Sequence, residues 1–185
     1  MDGSERTGPG NFRTVLGFIN SLAQEIPLSN GDLDPKGARF AVLQIGGEQD
    51  PEVLLDFSYS PSSISSLAFQ AVYRDSSARL GGAILYAAKN LVVSPGGRFR
   101  GVRRNAEISF VFVTDGVVSD RNMVQAVDAM RKANVVSMAI AVGPEVDRAR
   151  LLQLTLGDTS LIFNLKSFKE MTAPGVVRSI GRCLG

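Results

Sequence analysis

The sequence predicts an α/β domain of the doubly wound kind, with a mostly parallel central sheet, one antiparallel edge strand and helices on both faces. Three observations carry that prediction. Apolar β-type runs alternate with segments of helical spacing from residue 38 to the carboxyl end. Two of these runs, Ile108–Thr114 (ISFVFVT) and Val135–Val142 (VVSMAIAV), are almost wholly apolar, as strands buried on both faces are. Two others, Ala38–Ile45 and Glu52–Tyr59, are joined only by Gly46–Pro51. That connection is too short for a crossover, so they pair as an antiparallel hairpin.

In chain order, residues 12–26 set Phe12, Val15, Leu16, Phe18, Ile19, Leu22, Ala23 and Ile26 at helical spacing, with Asn11 as the expected cap and Pro27 as the stop. The first hairpin strand is opened by Gly37 and closed by Gly46-Gly47, and the second lies between Pro51 and Pro61. Ile64–Tyr73 and Leu80–Val93 have helical spacing, and Ser119-Asp120 is the expected cap of an amphipathic helix over Met123–Lys132. Arg148–Leu156 reads as a helix and Leu161–Leu165 as a short strand. Ser167-x-x-Glu170 has the form of a capping box opening a last helix. Pro174-Gly175 is expected to interrupt that helix, which divides the chain into a domain over 1–172 and a carboxyl-terminal extension over 173–185 pointing toward a following domain.

Composition removes most catalytic chemistries. The 185 residues are 44% hydrophobic and 21% charged, the balance of a globular chain. With no His there is no Ser-His-Asp or Cys-His pair and no imidazole ligand or base. Cys183 alone makes neither an intrachain disulfide nor a thiolate zinc site, but leaves open pairing with another chain or domain. A net charge of +2 is too small to bind nucleic acid by bulk charge. No apolar run approaches the ~18 residues of a membrane span, so no membrane insertion is expected. Carboxylate and hydroxyl chemistry remains, as does a binding module without chemistry.

In open α/β sheets ligands bind beyond the carboxyl ends of the strands, near the point where strand order reverses. Asp115-Gly116 follows the strongest strand as Thr114-Asp115-Gly116, and Asp2-Gly3-Ser4 precedes the first helix. Carboxylates and hydroxyls meeting on one rim form an oxygen-only site for a hard cation such as Mg²⁺. The plainer reading is that Asp-Gly pairs close turns.

These residues, together with the hairpin ARFAVLQIGG then EVLLDFSY, the segment LGGAILYAAKNL, the strand FVFVTDGVVSD and VVSMAIAVG followed by LLQL, resemble the von Willebrand factor A (integrin I-like) domain over nearly the whole chain. Within that family the chain looks most like the repeated A domains of collagen VI, in particular the amino-terminal array of its α3 chain, on the texture of SERTGPGNF and FVTDGVVSD. The resemblance implies a Rossmann-like fold and a metal-ion-dependent adhesion site built from Asp-x-Ser-x-Ser, a Thr before the third helix and an Asp after the fourth strand. Carried over residue by residue, Asp2, Ser4 and Asp115 match, whereas the second Ser falls on Arg6 and the Thr at about Ala78. The site is thus expected to be degenerate. Arg6 should pair with Asp2 or Asp115, leaving Mg²⁺ absent or weakly held and no other cofactor.

The resemblance also implies an apolar central strand just before Asp2, where only Met1 stands. Either the chain is shortened relative to the natural one, or another segment fills the gap. Elsewhere, Arg98, Arg100, Arg103 and Arg104 crowd the loop SPGGRFRGVRRN. They form a candidate patch for glycosaminoglycan or an acidic partner, or else a solvated loop guarding the strand that follows. Gly81-Gly82 lacks the context of a phosphate-binding turn and is read as close helix packing.

The expected function is non-enzymatic: a secreted extracellular-matrix interaction module contributing to collagen VI-type microfibril assembly and to cell and matrix adhesion. Its expected partners are other matrix proteins or neighbouring A domains. The alternative is an intracellular A domain serving as a scaffold in a multiprotein complex. An Mg²⁺-dependent hydrolase using Asp2 and Asp115 lacks a base and an activated nucleophile.

Overall fold

The computed structural model describes residues 1, 3, 6–45, 51–74, 79–92, 102–103, 105–116, 122–144 and 146–184. Five strands stand in two ladders. The hairpin pairs β1 (Phe40–Gln44) antiparallel with β2 (Glu52–Ser58), Phe40 facing Ser58 and Gln44 facing Glu52. The second ladder is parallel, in the order β3 (Ile108–Thr114), β4 (Val135–Val142), β5 (Ile162–Leu165). Its register runs from Ile108 opposite Val135 to Thr114 opposite Ala141. Among the described residues only Met1 and Gly3 add to β1 on its other side, through Met1 N to Leu43 O, Ile45 N to Met1 O and Gly3 N to Ile45 O, each 2.9 Å.

β4 shows why a nearly unbroken apolar run makes a central strand. Met138, Ala139 and Ile140 are wholly buried. Met138, Ile140 and Val142 join one core with Phe12, Leu16, Phe18 and Leu22 of α1 (Gly8–Glu25) and with Val177 and Ile180 of α6 (Pro174–Arg182). Ala139 and Ala141 point the other way, into a core with Ile84 of α3 (Leu80–Tyr86), Met130 of α4 (Met123–Lys132) and Leu151 of α5 (Arg148–Leu154). Strand alternation sends successive side chains to opposite faces, so one strand seats two helical layers. The small alanines let α4, with Ala126 fully buried, come close on their side.

Several boundaries differ from those the sequence predicts. α1 begins at Gly8, with Thr7 at the cap and Pro9 in its first turn, the position where a missing N–H costs nothing. Asn11 is therefore inside the helix, its side chain donating to Thr7 O at 2.9 Å. Ile26 is extended because Pro27 follows it. α2 covers Pro61–Gln70, capped by the Ser60 hydroxyl. α3 continues past Tyr86 as a wider π-helical stretch over Ala87–Val92. The Asp147 carboxylate caps α5 by accepting from the N–H groups of Ala149 and Arg150. The expected cap Ser119-Asp120 lies outside the described residues, as does Gly46-Gly47.

At the carboxyl end the chain breaks ahead of Pro174. Glu170 reaches back to accept from Lys166 N at 2.9 Å, not from Ser167 N as the expected capping box would have it. Ser167 makes no side-chain cap bond, and the turn is a 3₁₀ turn over Phe168–Thr172. Ala173 is extended ahead of Pro174, and α6 starts afresh with that proline in its first turn. α6 buries Val177, Ile180 and Gly181 and lies on α1, where a Cβ on Gly181 would meet Glu25 at 3.5 Å and Leu22 at 3.7 Å. Val177 and Ile180 belong to the same core cluster as Leu22 and Ile26. Among the described residues no helix is long and apolar enough to cross a membrane.

Candidate functional site

The rim at the carboxyl ends of β1 and β3 gathers the polar groups the sequence singles out. β3 delivers Thr114, 5% exposed, at its last position. The Thr114 hydroxyl donates to Gly116 O and accepts from Gly116 N at 3.3 Å, closing the turn that presents Asp115. From the other side Arg6 and Thr7 lead into α1, an 18-residue helix whose amino end carries partial positive charge. The Arg6 Nε lies 3.9 Å from Asp115 Oδ1, with the aspartate side chain 13% exposed and the arginine 53%. Gly116 makes room for this, since a Cβ there would touch the Arg6 guanidinium carbon at 3.4 Å.

Asp115 and Arg6 are therefore brought together, as the arginine at the second Ser position implies. Asp2, Ser4 and Ala78 lie outside the described residues. Two further polar side chains line the same end of the fold without having stood out in the sequence. Thr7, 1% exposed, sits at the start of α1 with its hydroxyl unbonded among the described residues. Gln44, also 1% exposed, ends β1 beside Gly3, where a Cβ would come within 2.7 Å of Gln44 Cγ. The signal for Thr7 was the Pro9 two residues on, which marks a helix start better than Asn11 does. For Gln44 the signal was an amide at a core-facing position of an otherwise apolar strand.

Of the four clustered arginines, Arg98, Arg100 and Arg104 lie outside the described residues. Arg103 is half-buried and bound to the chain itself. Its guanidinium donates to Ser29 Oγ at 3.3 Å, to Gly37 O at 2.6 Å and to Asp34 O. The loop it clamps has its own order. The Asp34 carboxylate accepts from Asn30 N at 2.8 Å and Lys36 N at 2.9 Å, and these bonds hold its pKa below the ordinary value. Arg39 donates to Gly31 O and Asp32 O and lies 5.4 Å from the centre of the Tyr59 ring. Gly37 is packed so closely on residues 28–29 that a Cβ would stand 2.2 Å from Ser29 N. No sequence signal joins Arg103 to Gly37, 66 residues away.

Cys183 is an exposed free thiol whose Sγ donates to Ser179 O at 3.4 Å. Among the described residues no group of three or more His, Cys, Asp or Glu side chains is placed to hold a metal ion.

Comparison with known proteins gives a consistent picture. The family model described as von Willebrand factor type A domain matches residues 1–175. The chain is 40% identical over 174 residues to the collagen alpha-2(VI) chain of Gallus gallus, covering 94% of this chain and 17% of that one. It is 30% identical over 142 residues to vitrin of Mus musculus, covering 77% of this chain and 20% of vitrin. The chain thus spans about a fifth of the length of the curated relatives it matches. Among solved structures, proximal thread matrix protein 1 from the mussel byssus superposes with a TM-score of 0.80 at 16% identity, covering 97% of this chain and 45% of that one. One structure of that mussel protein is described as having a zinc-occupied MIDAS motif, the adhesion-site sequence.

Proposed function

The chain belongs to the von Willebrand factor type A family, and from that premise we propose that it is a non-enzymatic interaction module of the secreted extracellular matrix. It contributes to collagen VI-type assembly and adhesion through protein surface rather than through a bound dication. The 40% identity to a collagen VI chain over 94% of these residues supports the matrix setting. The arrangement of Arg6 over Asp115 carries the second half of the reading.

A dication fits this rim poorly. Arg6 is charged at every working pH, and it faces the carboxylate a metal would need. At ~4 Å and an effective dielectric of about 20, each pair of unit charges interacts by roughly 4 kcal/mol, a figure that solvent at this half-open rim reduces. The guanidinium attracts Asp115 and repels an incoming cation by the same rule. The Thr114 hydroxyl is already bonded to Gly116. We therefore route no step of binding through a metal. The absence of His and the single exposed thiol support a module that does no chemistry.

Surface plasmon resonance on the immobilised chain, with purified collagen VI microfibrils as analyte, tests both halves. Saturable binding of equal strength in chelator and in Mg²⁺ is the expected result. Absence of saturable binding removes the collagen VI assignment. Binding that requires Mg²⁺ removes the metal-independent rim and leaves the matrix role standing.

A further inference from the structure

Of the eight asparagines in the chain, only Asn30 is followed by glycine. The pair lies between α1 and β1, on the loop that Arg39 and Arg103 hold. Both ends of the pair are fixed. Asn30 N donates to Asp34 Oδ2 at 2.8 Å, while Gly31 O accepts from Arg39 Nη2 at 3.1 Å and from Asp34 N at 3.2 Å. Between these anchors, the Asn30 carboxamide and the Gly31 N–H bond to no partner among the described residues. Asn30 is exposed, and a Cβ built on Gly31 would meet nothing within 4 Å.

A side-chain carbonyl carbon and the amide nitrogen of the next residue are the two groups that close a cyclic imide. The Gly31 nitrogen gives its proton to solvent and bonds to Asn30 Cγ, the Cγ–Nδ2 bond breaks, and ammonia leaves. Water then opens the ring. Cleavage between Cγ and the nitrogen leaves aspartate. Cleavage between the main-chain carbonyl carbon and the nitrogen leaves isoaspartate, whose main chain runs through Cβ and Cγ. Nothing is oxidised or reduced, and water is the only co-reactant. Glycine favours the closure because no side chain crowds the attacking nitrogen and its backbone bends freely. Asn20, Asn90 and Asn164 lie within α1, the π-helical stretch and β5, where regular backbone bonding opposes such a bend. The related pair Asp115-Gly116 has its glycine nitrogen engaged, donating to Thr114 Oγ1 at 3.3 Å.

We infer that Asn30-Gly31 is a site of spontaneous deamidation, which turns a neutral amide into a third carboxylate on the loop beside Asp32 and Asp34. The change takes one unit from the net charge of +2. In its isoaspartyl form it also lengthens the main chain by one atom between the bond to Asp34 and the bond to Arg39. The mark accumulates with the age of the molecule, since the ammonia is lost. This inference is independent of the metal and matrix readings.

The test holds the 185-residue chain in neutral buffer for several weeks, digests it, and follows the amide-to-acid mass gain at each asparagine. Enzymatic carboxyl methylation counts isoaspartate. Asn30 should deamidate at least about tenfold faster than every other asparagine, a barrier lower by about 1.4 kcal/mol, and isoaspartate should appear there. Gly31→Ala has room for its methyl and should slow the reaction at Asn30 at least about tenfold. A smaller margin over the other asparagines overturns the inference, as does an undiminished rate in Gly31→Ala. Aspartate without isoaspartate overturns the ring route. The same chain unfolded in guanidinium is the reference for the fold: a folded-state rate more than about tenfold below it would mean that the loop holds the two groups apart, and the inference would fall.

Discussion

The guanidinium of Arg6 stands 3.9 Å from the carboxylate of Asp115, resting on the bare Cα of Gly116. Two segments more than a hundred residues apart in the chain meet there, one leading into α1 and one leaving β3. In a rim built from oxygen ligands a cation is the expected third party. Here the chain supplies that cation itself.

Replacing Arg6 by Ser, together with Ala78 by Thr, is expected to strengthen divalent-cation binding. The double change removes a fixed positive charge and restores two hydroxyl oxygens where the family places them. Calorimetric titration with Mn²⁺ is the measurement. The unaltered chain should give no binding heat at micromolar metal, and the double variant should bind at least about tenfold more tightly. Micromolar binding by the unaltered chain would refute the argument from Arg6.

How much of this was legible in the sequence depended on the range of the interaction. β3, α4 and β4 lie where the sequence places them, because each is set by its own periodicity: unbroken apolar residues for a strand covered on both faces, 3.6-residue spacing for the helix. The start of α1 was misread because Asn11 is a good cap in isolation, whereas Pro9 fixes the first turn two residues earlier. Ser167 and Glu170 form a capping-box pattern, yet Pro174 cannot continue the helix they would open, so a 3₁₀ turn results. A pairing of Arg6 with Asp2 or Asp115 was expected from the resemblance alone, which sets Arg6 at the second Ser position of the adhesion-site pattern. The role of Arg103 was not, since nothing local to residue 103 points to a loop some seventy residues earlier.

Arg103→Ala is expected to destabilise the domain by about 2 kcal/mol, the scale of losing hydrogen bonds from a charged donor to half-buried acceptors. Three acceptors on the loop from Ser29 to Gly37 lose their donor together. Arg103→Lys should recover only part of this, because a single ammonium cannot span acceptors arranged for a planar fork. Urea denaturation reads the stability. Retention on a heparin column should be unchanged by Arg103→Ala alone, and a clear loss of retention would return Arg103 to the polyanion patch.

The same loop has a pH signature. The pKa of Asp34 is lowered by backbone N–H bonds from Asn30 and Lys36, so the folded chain binds fewer protons than the unfolded one near that pKa. Stability contributed by Asp34 is therefore fully present above the ordinary carboxylate range, about pH 4, and is lost as pH falls through the lower folded value. Urea midpoints of the unaltered chain and of Asp34→Ala should differ at neutral pH and converge as pH falls below about 4. A gap that widens on acidification would contradict the sign of the shift.

Two glycine-to-alanine changes should have opposite signs. At Gly37 a Cβ would lie 2.2 Å from Ser29 N and 2.4 Å from the Leu28 carbonyl carbon, both backbone atoms, and the two segments are tied together by Ser29 N to Ala38 O and Ala38 N to Pro27 O. Neither segment can retreat without breaking those bonds, so Gly37→Ala should cost about 3 kcal/mol as an overpacked site. At Gly181, inside α6, the added methyl would meet Glu25 Cβ at 3.5 Å and Leu22 Cδ1 at 3.7 Å, ordinary contact distances. There the lower backbone entropy of alanine in the unfolded chain dominates, and Gly181→Ala should gain about 0.5–1 kcal/mol. Thermal melts of the two single variants measured side by side separate the cases. A stabilised Gly37→Ala would mean that the loop held by Arg103 yields freely, and the clamp assigned to Arg103 would fall with it.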